Sequence, residues 1–318
     1  MEEEITITLD SRELLSGICG SNDGNLKIIE DALGGYITAR GNELNFKCSN
    51  GLGVKRFKSV IDNLIYAIRE GEELPPGYIL ALIDDSNKAS EESRSNFRNS
   101  MIQIPNGLCS VYPKTGNQAA YIQGMRENEI CFCIGPAGTG KTYLAVAHAL
   151  YMILSKKLRK LILTRPVVEA GENLGFLPGD LSQKVDPYLR PLHDAIDSLI
   201  PHTVIQRMEE SRSIEIAPLA YMRGRSLNDC MIILDEAQNT TREQMKMFLT
   251  RIGIGARAVI TGDATQIDLK HKTDSGLLHV QEILRNVEGI NFSFLHTTDV
   301  ARNPLIKKII QVYNERQN

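Results

Sequence analysis

The sequence predicts an α/β protein, with a large part built on a mostly parallel β-sheet and a smaller α/β domain before it. In the second part of the chain, apolar runs of strand length alternate with helical patterns, and several runs are apolar on both faces. Such runs are typical of a parallel sheet covered by helices on each side. A polar stretch at 84–100 separates the two parts. We therefore predict a small domain over 1–83, a polar linker over 84–110 and a large domain over 111–318.

The composition limits the classes of protein to consider. The 318 residues, 42% of them hydrophobic, suffice for one good-sized core and a smaller one. The net charge of −3 argues against the overall basic field of strong nonspecific nucleic-acid binders, but it leaves a local basic patch open. No apolar run approaches the roughly 20 residues that span a bilayer, and Met1–Glu4 is acidic, unlike a signal peptide. We expect a cytoplasmic protein without membrane partners.

The small domain has a mixed pattern of short elements. Ile5–Leu9 alternates as a half-buried strand does, and a turn at Gly20–Gly24 precedes a helical pattern over Leu26–Leu33. Tyr36–Phe46 reads as a hairpin with a tight turn, and Val54–Ile68 follows helical spacing.

The large domain shows six strand-like runs. They are Ile130–Ile134, Lys160–Thr164, Ile214–Pro218, Cys230–Asp235, Ala256–Thr261 and Ile290–Leu295. Cys131 and Cys133 alternate in the first run, so we place them on one face of a strand. The chain has six cysteines and no C-x-x-C pair, which favours buried, reduced thiols over a metal site or disulfides.

One segment matches the phosphate-binding pattern G-x-x-x-x-G-K-[ST] in full. It consists of Gly135, Pro136, Ala137, Gly138, Thr139, Gly140, Lys141 and Thr142. A predicted strand precedes it and a predicted helix follows, so backbone N–H groups and the helix N-terminus can converge on phosphate oxygens. We predict an ATP site in which Lys141 bridges the β- and γ-phosphates and Thr142 binds Mg²⁺. The alternative is a chance glycine turn.

Two further strand ends complete the predicted site. Cys230–Leu234 runs into Asp235 and Glu236. We expect Asp235 to hold Mg²⁺ from its second shell and Glu236 to act as general base towards water. The alternative is that the pair caps the next helix, although Asn239–Thr241 already supplies caps. After the strand ending at Thr261, Asp263 and Gln266 are candidates to contact the γ-phosphate, although Thr-Gly-Asp alone is an ordinary turn.

These motifs together resemble the PhoH-like proteins, which are ATPases with motifs similar to those of superfamily 1 helicases. The resemblance rests on the phosphate-binding loop, on Leu234–Asn239 and on Gly262–Gln266, and further matches are Thr164–Glu172, Gly175–Leu181 and Arg223–Leu227. It implies a RecA-like P-loop domain. Lys114–Gln118 resembles the upstream glutamine motif of the family, which implies that Gln118 reads the adenine edge. Family membership also implies a link to RNA metabolism and partnership with a ribosome- or RNA-maturation nuclease.

The first domain resembles the small N-terminal domain of bacterial members. Leu26–Glu30 followed by Gly34–Ile37 looks like the second helix and next strand of a KH RNA-binding module. The KH clamp loop has the pattern G-x-x-G, whereas Gly20–Asp23 ends in an acid that would repel a phosphate backbone. Gly17–Gly20 also spells the pattern but lies a few residues too early. A small α/β domain for assembly or partner contact is the alternative to RNA binding.

Helicases of superfamily 1 close a second RecA-like lobe over ATP, and this chain lacks the residues for one. Roughly fifty residues follow Gln266, whereas a second lobe needs on the order of 100. Efficient hydrolysis usually needs an arginine at the γ-phosphate, so we expect a homo-oligomeric ring, for example a hexamer, in which a neighbour supplies it. Arg302 and Arg251 are the candidates. Where the family has Arg-His-Pro, this sequence has Asn303 after Arg302.

Other basic residues leave two interpretations open. Arg165 could face nucleic acid at a strand tip, or pair with Glu169 or Glu172. Arg223 and Arg225 could face phosphate or the surface, and Lys156–Lys160 reads as a solvated loop.

The leading hypothesis is an oligomeric, Mg²⁺-dependent ATPase of RNA metabolism. A ring-forming RNA helicase, a nonhydrolysing nucleotide switch and a small-molecule kinase are the alternatives.

Overall fold

The structure is a computed structural model that describes residues 3–49, 51–69, 74, 76–85, 100–105, 108–167 and 181–300. The chain divides into two compact units. They are Met1–Met101 with Tyr112–Ala119, and Ile102–Val111 with Ala120–Asn318. The predicted linker, 84–110, lies largely outside the described residues, and its bounds stay a prediction.

The first unit contains a three-stranded antiparallel sheet in the order β1-β3-β2. Its elements are β1 (Glu3–Thr8), α1 (Arg12–Cys19), α2 (Gly24–Leu33), β2 (Gly35–Arg40), β3 (Glu43–Cys48), α3 (Gly51–Arg69) and α4 (Pro76–Asp85). Strands β2 and β3 form the predicted hairpin. Phe46 of β3 stacks on Phe57 of α3 with ring centroids 4.5 Å apart, and both are fully buried in the core of this unit.

The loop between α1 and α2 is the one that aligns with the KH clamp. It is a short 3₁₀ turn over Ser21–Asp23, in which Asn22 and Asp23 adopt left-handed φ angles of 52° and 56°. The alternative G-x-x-G at Gly17–Gly20 lies mostly inside α1. The described loop therefore presents an acidic residue where the clamp pattern has glycine, and RNA binding by this loop stays a prediction.

The second unit is an α/β structure on a six-stranded sheet. Its elements, with the helix that leads into it, are β4 (Ile102–Ile104), β5 (Cys109–Val111), α5 (Gly116–Glu127), β6 (Ile130–Ile134), α6 (Lys141–Leu154), β7 (Lys160–Arg165), α7 (Leu181–Asp197), α8 (His202–Glu210), β8 (Ile214–Pro218), β9 (Cys230–Leu234), α9 (Arg242–Leu249), β10 (Arg257–Gly262), α10 (Gly276–Ile283) and β11 (Ile290–Phe294). The sheet order is β11-β6-β10-β9-β7-β8, and every neighbouring pair is parallel. The predicted fold class and all six predicted strands are confirmed.

Each face of this sheet has its own core, because successive side chains of a strand point to opposite faces. Cys131 and Cys133 of β6 lie on one face of the strand, as predicted, and pack in the core that contains α6, whereas Phe132 and Ile134 belong to the core on the α9–α10 face. All six cysteines are free thiols. Burial raises the pKa of Cys131 to about 12, so this thiol stays neutral.

The strand order determines where a ligand can bind. The chain crosses from β6 over two intervening strands to β7, while β11 returns to the opposite side of β6. In parallel α/β sheets, ligands bind at the carboxyl ends of strands where such connections diverge. The carboxyl ends of β6, β9 and β10, which are neighbours across the sheet, meet at this edge. Among the described helices, none combines the length and apolarity needed to cross a membrane.

Candidate functional site

The glycine-rich loop after β6 forms a tight backbone cradle. Gly138 and Gly140 have φ angles of 79° and 84°, a conformation that glycine adopts readily and other residues rarely do. Gly135 packs so closely against the chain after β11 that a Cβ atom there would lie 2.5 Å from the Leu295 carbonyl oxygen. The loop is thus fixed at its start by a neighbouring strand and turned by two left-handed glycines.

Lys141 is the first residue of α6 and folds back over this loop. Its Nζ donates hydrogen bonds to the carbonyl oxygens of Gly135 at 2.6 Å and Pro136 at 2.8 Å. The Thr139 hydroxyl donates to the same Pro136 carbonyl at 2.8 Å. The ammonium therefore lies at the mouth of the loop, where it can exchange carbonyl partners for anionic oxygens.

Asp235 joins the loop to the neighbouring strand ends. Its Oδ1 accepts a hydrogen bond from Thr142 at 2.7 Å and another from Thr261, at the end of β10, at 2.6 Å. Its backbone N–H donates to the Thr164 carbonyl at 2.9 Å, and its side chain is buried. Thr142 and Asp235, 93 residues apart in the chain, are thus in direct contact, and their roles towards Mg²⁺ stay a prediction.

Glu236 follows in an unusual conformation. Its φ of 52° is left-handed, which is strained for a residue with a Cβ. One carboxylate oxygen, Oε1, lies 3.2 Å from Arg165 Nη2, and the other, Oε2, accepts a hydrogen bond from Gln238 Nε2 at 2.6 Å. Arg165 therefore pairs with Glu236; the two suggested partners, Glu169 and Glu172, lie outside the described residues.

Asp263 and Gln266 occupy the third strand end. Asp263 Oδ2 accepts from the backbone N–H of Ala137 in the glycine loop at 3.1 Å, and its Oδ1 accepts from Thr265. The backbone carbonyl of Gln266 accepts from Gln238 at 3.1 Å, while the Gln266 side chain is exposed at the cavity rim. Asp263 braces the loop itself, and contact of either residue with a γ-phosphate stays a prediction.

These strand ends enclose a cavity of about 250 Å³. Its wall contains Lys141, Thr142, Asp235, Glu236 and Gln266, together with loop glycines. The described residues contain no cluster of three or more His, Cys, Asp or Glu side chains that could hold a metal ion by themselves. The protein oxygens on this wall that a cation could contact include the Thr142 hydroxyl and the Asp235 carboxylate.

Gln118 lies near the start of α5 and is buried. Its Oε1 accepts a hydrogen bond from the backbone N–H of Lys114 at 2.6 Å. The backbone N–H of Gln118 donates to Thr115 Oγ1 at 3.3 Å. The side chain closes the turn that carries the glutamine motif. Its reading of an adenine edge stays a prediction.

Arg225 and Arg251 are not part of the cavity wall. Arg225 donates hydrogen bonds to Glu215 from Nη1 at 2.6 Å and from Nη2 at 2.9 Å, and this interaction, with Lys160, lowers the pKa of Glu215 to about 2. Arg251 lies beside the start of β9, at the opposite end of that strand from Asp235, and Nη1 donates to the Arg225 carbonyl at 3.4 Å. Arg302 falls outside the described residues. A role for Arg251 or Arg302 in a neighbour's site stays a prediction.

Two site residues had no role assigned from sequence. Thr261 is the single hydroxyl residue in the otherwise apolar run Ala258–Gly262, and this position next to a turn was the available signal. Gln238 bridges β9 and β10, because its amide contacts Glu236, the Gln266 carbonyl and the Asp263 backbone N–H. Its place two residues after the acidic pair was a signal, but its contacts depend on the strand order.

The parallel sheet and the glycine loop at the end of β6 define an α/β protein of the P-loop type. The chain belongs to the PhoH family: the family model described as "PhoH-like protein" matches residues 110–314. This chain is 45% identical to a "PhoH-like protein" of Bacillus subtilis over 93% of both chains. It is 40% identical to a "PhoH-like protein" of Synechocystis over 98% of this chain and 95% of the relative. "Protein PhoH" of Escherichia coli is 38% identical over 62% of this chain and 56% of its own length.

Proposed function

We propose that this protein binds ATP with Mg²⁺ and hydrolyses it. The observation that carries the proposal is the 2.7 Å hydrogen bond between Thr142 and Asp235, which brings the two halves of a P-loop site together at one cavity. A glycine turn without a nucleotide role has no need of an acidic strand end held against its threonine. The Glu236 carboxylate on the same cavity wall adds a group that a purely structural loop would not require.

The residues at the cavity fit both the phosphates of ATP and Mg²⁺. Left-handed Gly138 and Gly140 turn the loop so that the approach of a phosphate chain is unobstructed by side chains, and Lys141 adds positive charge. Mg²⁺ prefers oxygen ligands and retains several waters, so one threonine hydroxyl with a carboxylate behind it is a suitable protein contribution. When bound, Mg²⁺ would neutralise charge that develops on the phosphate oxygens.

Each residue then has a defined task. The loop amides and Lys141 bind and orient the phosphates, with Lys141 leaving the Gly135 and Pro136 carbonyls to do so. Asp235 holds the Thr142 hydroxyl in place, with Thr261 fixing the same carboxylate oxygen from the other side. Glu236 accepts the proton of the attacking water as general base, and Gln266 lies at the rim where the terminal phosphate would end.

Two substitutions separate binding from chemistry. Lys141→Ala should weaken ATP binding, because it removes the charge that offsets the phosphates. Glu236→Gln should retain ATP binding and stop hydrolysis, because the amide cannot accept the proton. Binding is measured by titration calorimetry with ATP and Mg²⁺, and turnover by phosphate release. Equal turnover in wild type and Glu236→Gln would exclude Glu236 as the base, and turnover absent from the wild type would leave a nonhydrolysing nucleotide switch.

We further propose that the protein works as a homo-oligomer in RNA metabolism, with a ribosome- or RNA-maturation nuclease as partner. Support comes from family membership and from the small α/β first unit, in which α1 and α2 flank the loop that aligns with the KH clamp. The direct test measures ATP turnover with and without single-stranded RNA, together with the mass in solution. Unwinding of a tailed RNA duplex would favour the ring helicase.

A further inference from the structure

We propose that Arg165 is a positioning residue, which holds the Glu236 carboxylate in the orientation needed for hydrolysis. The inference rests on the proposed ATPase function. It starts from the 3.2 Å ion pair between Arg165 Nη2 and Glu236 Oε1, which joins the end of β7 to the residue after β9. These strands are direct neighbours in the sheet.

Glu236 needs an external restraint more than most carboxylates do. Its backbone is in the left-handed region, which is unfavourable for a residue with a side chain and persists only when the surroundings fix it. A glutamate also has three side-chain torsions to immobilise, and about a third of the Glu236 side chain is exposed to solvent. Without partners, its carboxylate would sample orientations that point away from the cavity.

The two carboxylate oxygens are held from two directions. Gln238 Nε2 donates to Oε2 at 2.6 Å, and Gln238 is itself fixed by the Gln266 carbonyl and the Asp263 N–H. Arg165 contacts Oε1, which lies on the side away from that amide. One neutral donor alone would leave rotation about the last torsion open, whereas a hydrogen bond at one oxygen and an ion pair at the other together restrict the carboxylate plane.

Arg165 is well placed for this task because it is anchored in turn. Nη1 donates to the backbone carbonyl of Tyr188 in α7 at 3.2 Å, and only 21% of its side chain is exposed. The rigid guanidinium can therefore bind the carbonyl and the carboxylate at once, through different nitrogens. Arg165 is not part of the cavity wall, so it acts on the reaction through Glu236 and not on the nucleotide.

The test compares Arg165→Gln and Arg165→Lys with a matched control, Arg225→Gln. Arg225 also pairs with a glutamate, Glu215, but away from the cavity wall. For Arg165→Gln we expect kcat to fall by about tenfold or more, since small misplacement of a catalytic group has effects of this size. The Kd for ATP and KM should be unchanged. Arg165→Lys should recover part of kcat, because the ammonium can still pair with Oε1. Arg225→Gln should leave kcat unchanged.

The outcomes separate this inference from the proposed ATPase function. No turnover in the wild type would overturn both. Turnover in the wild type and its loss in Glu236→Gln, with normal kcat in Arg165→Gln, would overturn the role of Arg165 alone. A raised kcat in Arg165→Gln would also overturn it, because the ion pair would then hold Glu236 away from the orientation needed for hydrolysis. A fall in ATP affinity and melting temperature parallel to the fall in kcat would show a structural role instead.

Discussion

At the scale of single residues, one oxygen atom organises the candidate site. Asp235 Oδ1 accepts hydrogen bonds from Thr142 and Thr261, whose hydroxyls come from the ends of different elements. Hydrogen bonds to a charged acceptor contribute about 1.5–3 kcal/mol each, more than neutral ones. Each hydroxyl therefore stabilises the buried carboxylate in this position, and the three side chains tie three parts of the fold together.

Thr142→Ala should affect both stability and nucleotide binding. The change removes one of two donors to a buried carboxylate oxygen, so the free energy of unfolding should fall by about 1–3 kcal/mol. It also removes the hydroxyl available to Mg²⁺, so ATP affinity should lose its dependence on Mg²⁺ concentration. Denaturant titration and calorimetry at several Mg²⁺ concentrations measure the two effects.

Thr142→Ser is the matched control for this experiment. Serine keeps the hydroxyl and removes only a methyl group, so both the unfolding free energy and the Mg²⁺ dependence should stay close to wild type. An alanine variant that binds ATP with unaltered Mg²⁺ dependence would contradict the assignment of Thr142 as the hydroxyl ligand.

The sequence predicted some of these residues and not their partners. Lys141, Thr142, Asp235 and Glu236 were identified because their spacing within short motifs has a chemical meaning. The contact of Arg165 with Glu236, and that of Thr261 with Asp235, join residues that are far apart in the chain. These contacts follow from which strands are neighbours, and a local pattern does not contain that information.

At the scale of elements, α6 supports the site from within the core. The helix starts at the loop lysine, and its residues from Leu144 to Leu150 are buried. Among them is His148, which is 1% exposed and whose ring nitrogens form no hydrogen bond within the described part of the chain. Burial, reinforced by the positive charges of Arg126, Arg257 and Lys157, lowers its pKa from 6.5 to about 3. A neutral imidazole at this position makes the fold sensitive to acid.

We predict that stability falls as the pH drops below 6.5, the ordinary pKa of this group. In the window from 6.5 down to about 3, the unfolded chain binds a proton at His148 and the folded chain does not. The free energy of unfolding should therefore decrease towards acid by up to about 1.4 kcal/mol per pH unit from this residue. Denaturant titrations across this window measure the slope.

His148→Leu should remove this contribution, because leucine fills a similar volume and does not titrate. His202→Gln, a change at an exposed position on α8, is the control and should leave the slope as in the wild type. An identical slope in His148→Leu and the wild type would show that other groups cause the acid sensitivity.

The elements themselves were largely predictable from sequence. All six strands of the parallel sheet were identified, because a strand buried on both faces is an apolar run bounded by turns. Their order was not, since an apolar run pairs equally well with several neighbours. Helix α1 was not identified either, because its eight residues are too short for the helical period to stand out.

At the scale of the whole molecule, the candidate site is one-sided. Among the described residues, its cavity is bounded by the glycine loop and the ends of β9 and β10. Arg165, at the end of β7, contacts Glu236 but is not part of this wall. Arg251 lies at the opposite end of β9. An arginine facing the terminal phosphate raises hydrolysis by orders of magnitude in P-loop enzymes, and we propose that a neighbouring chain supplies it. The proposed oligomer and the proposed hydrolysis are therefore linked.

We predict that turnover per chain depends on assembly, while ATP binding does not. Each chain holds Lys141, Thr142 and Asp235 by its own contacts, so dilution below the assembly concentration should leave ATP affinity intact and reduce kcat.

Mixtures of variant subunits then identify which arginine acts in the neighbouring site. Subunits with Arg302→Ala or Arg251→Ala keep Glu236, and subunits with Glu236→Gln keep both arginines. If the substituted arginine acts in trans, mixing its alanine variant with the Glu236→Gln variant should recover some activity. Sedimentation shows whether the variants assemble together. Co-assembled mixtures of both kinds without recovered activity would exclude both arginines from the neighbouring site.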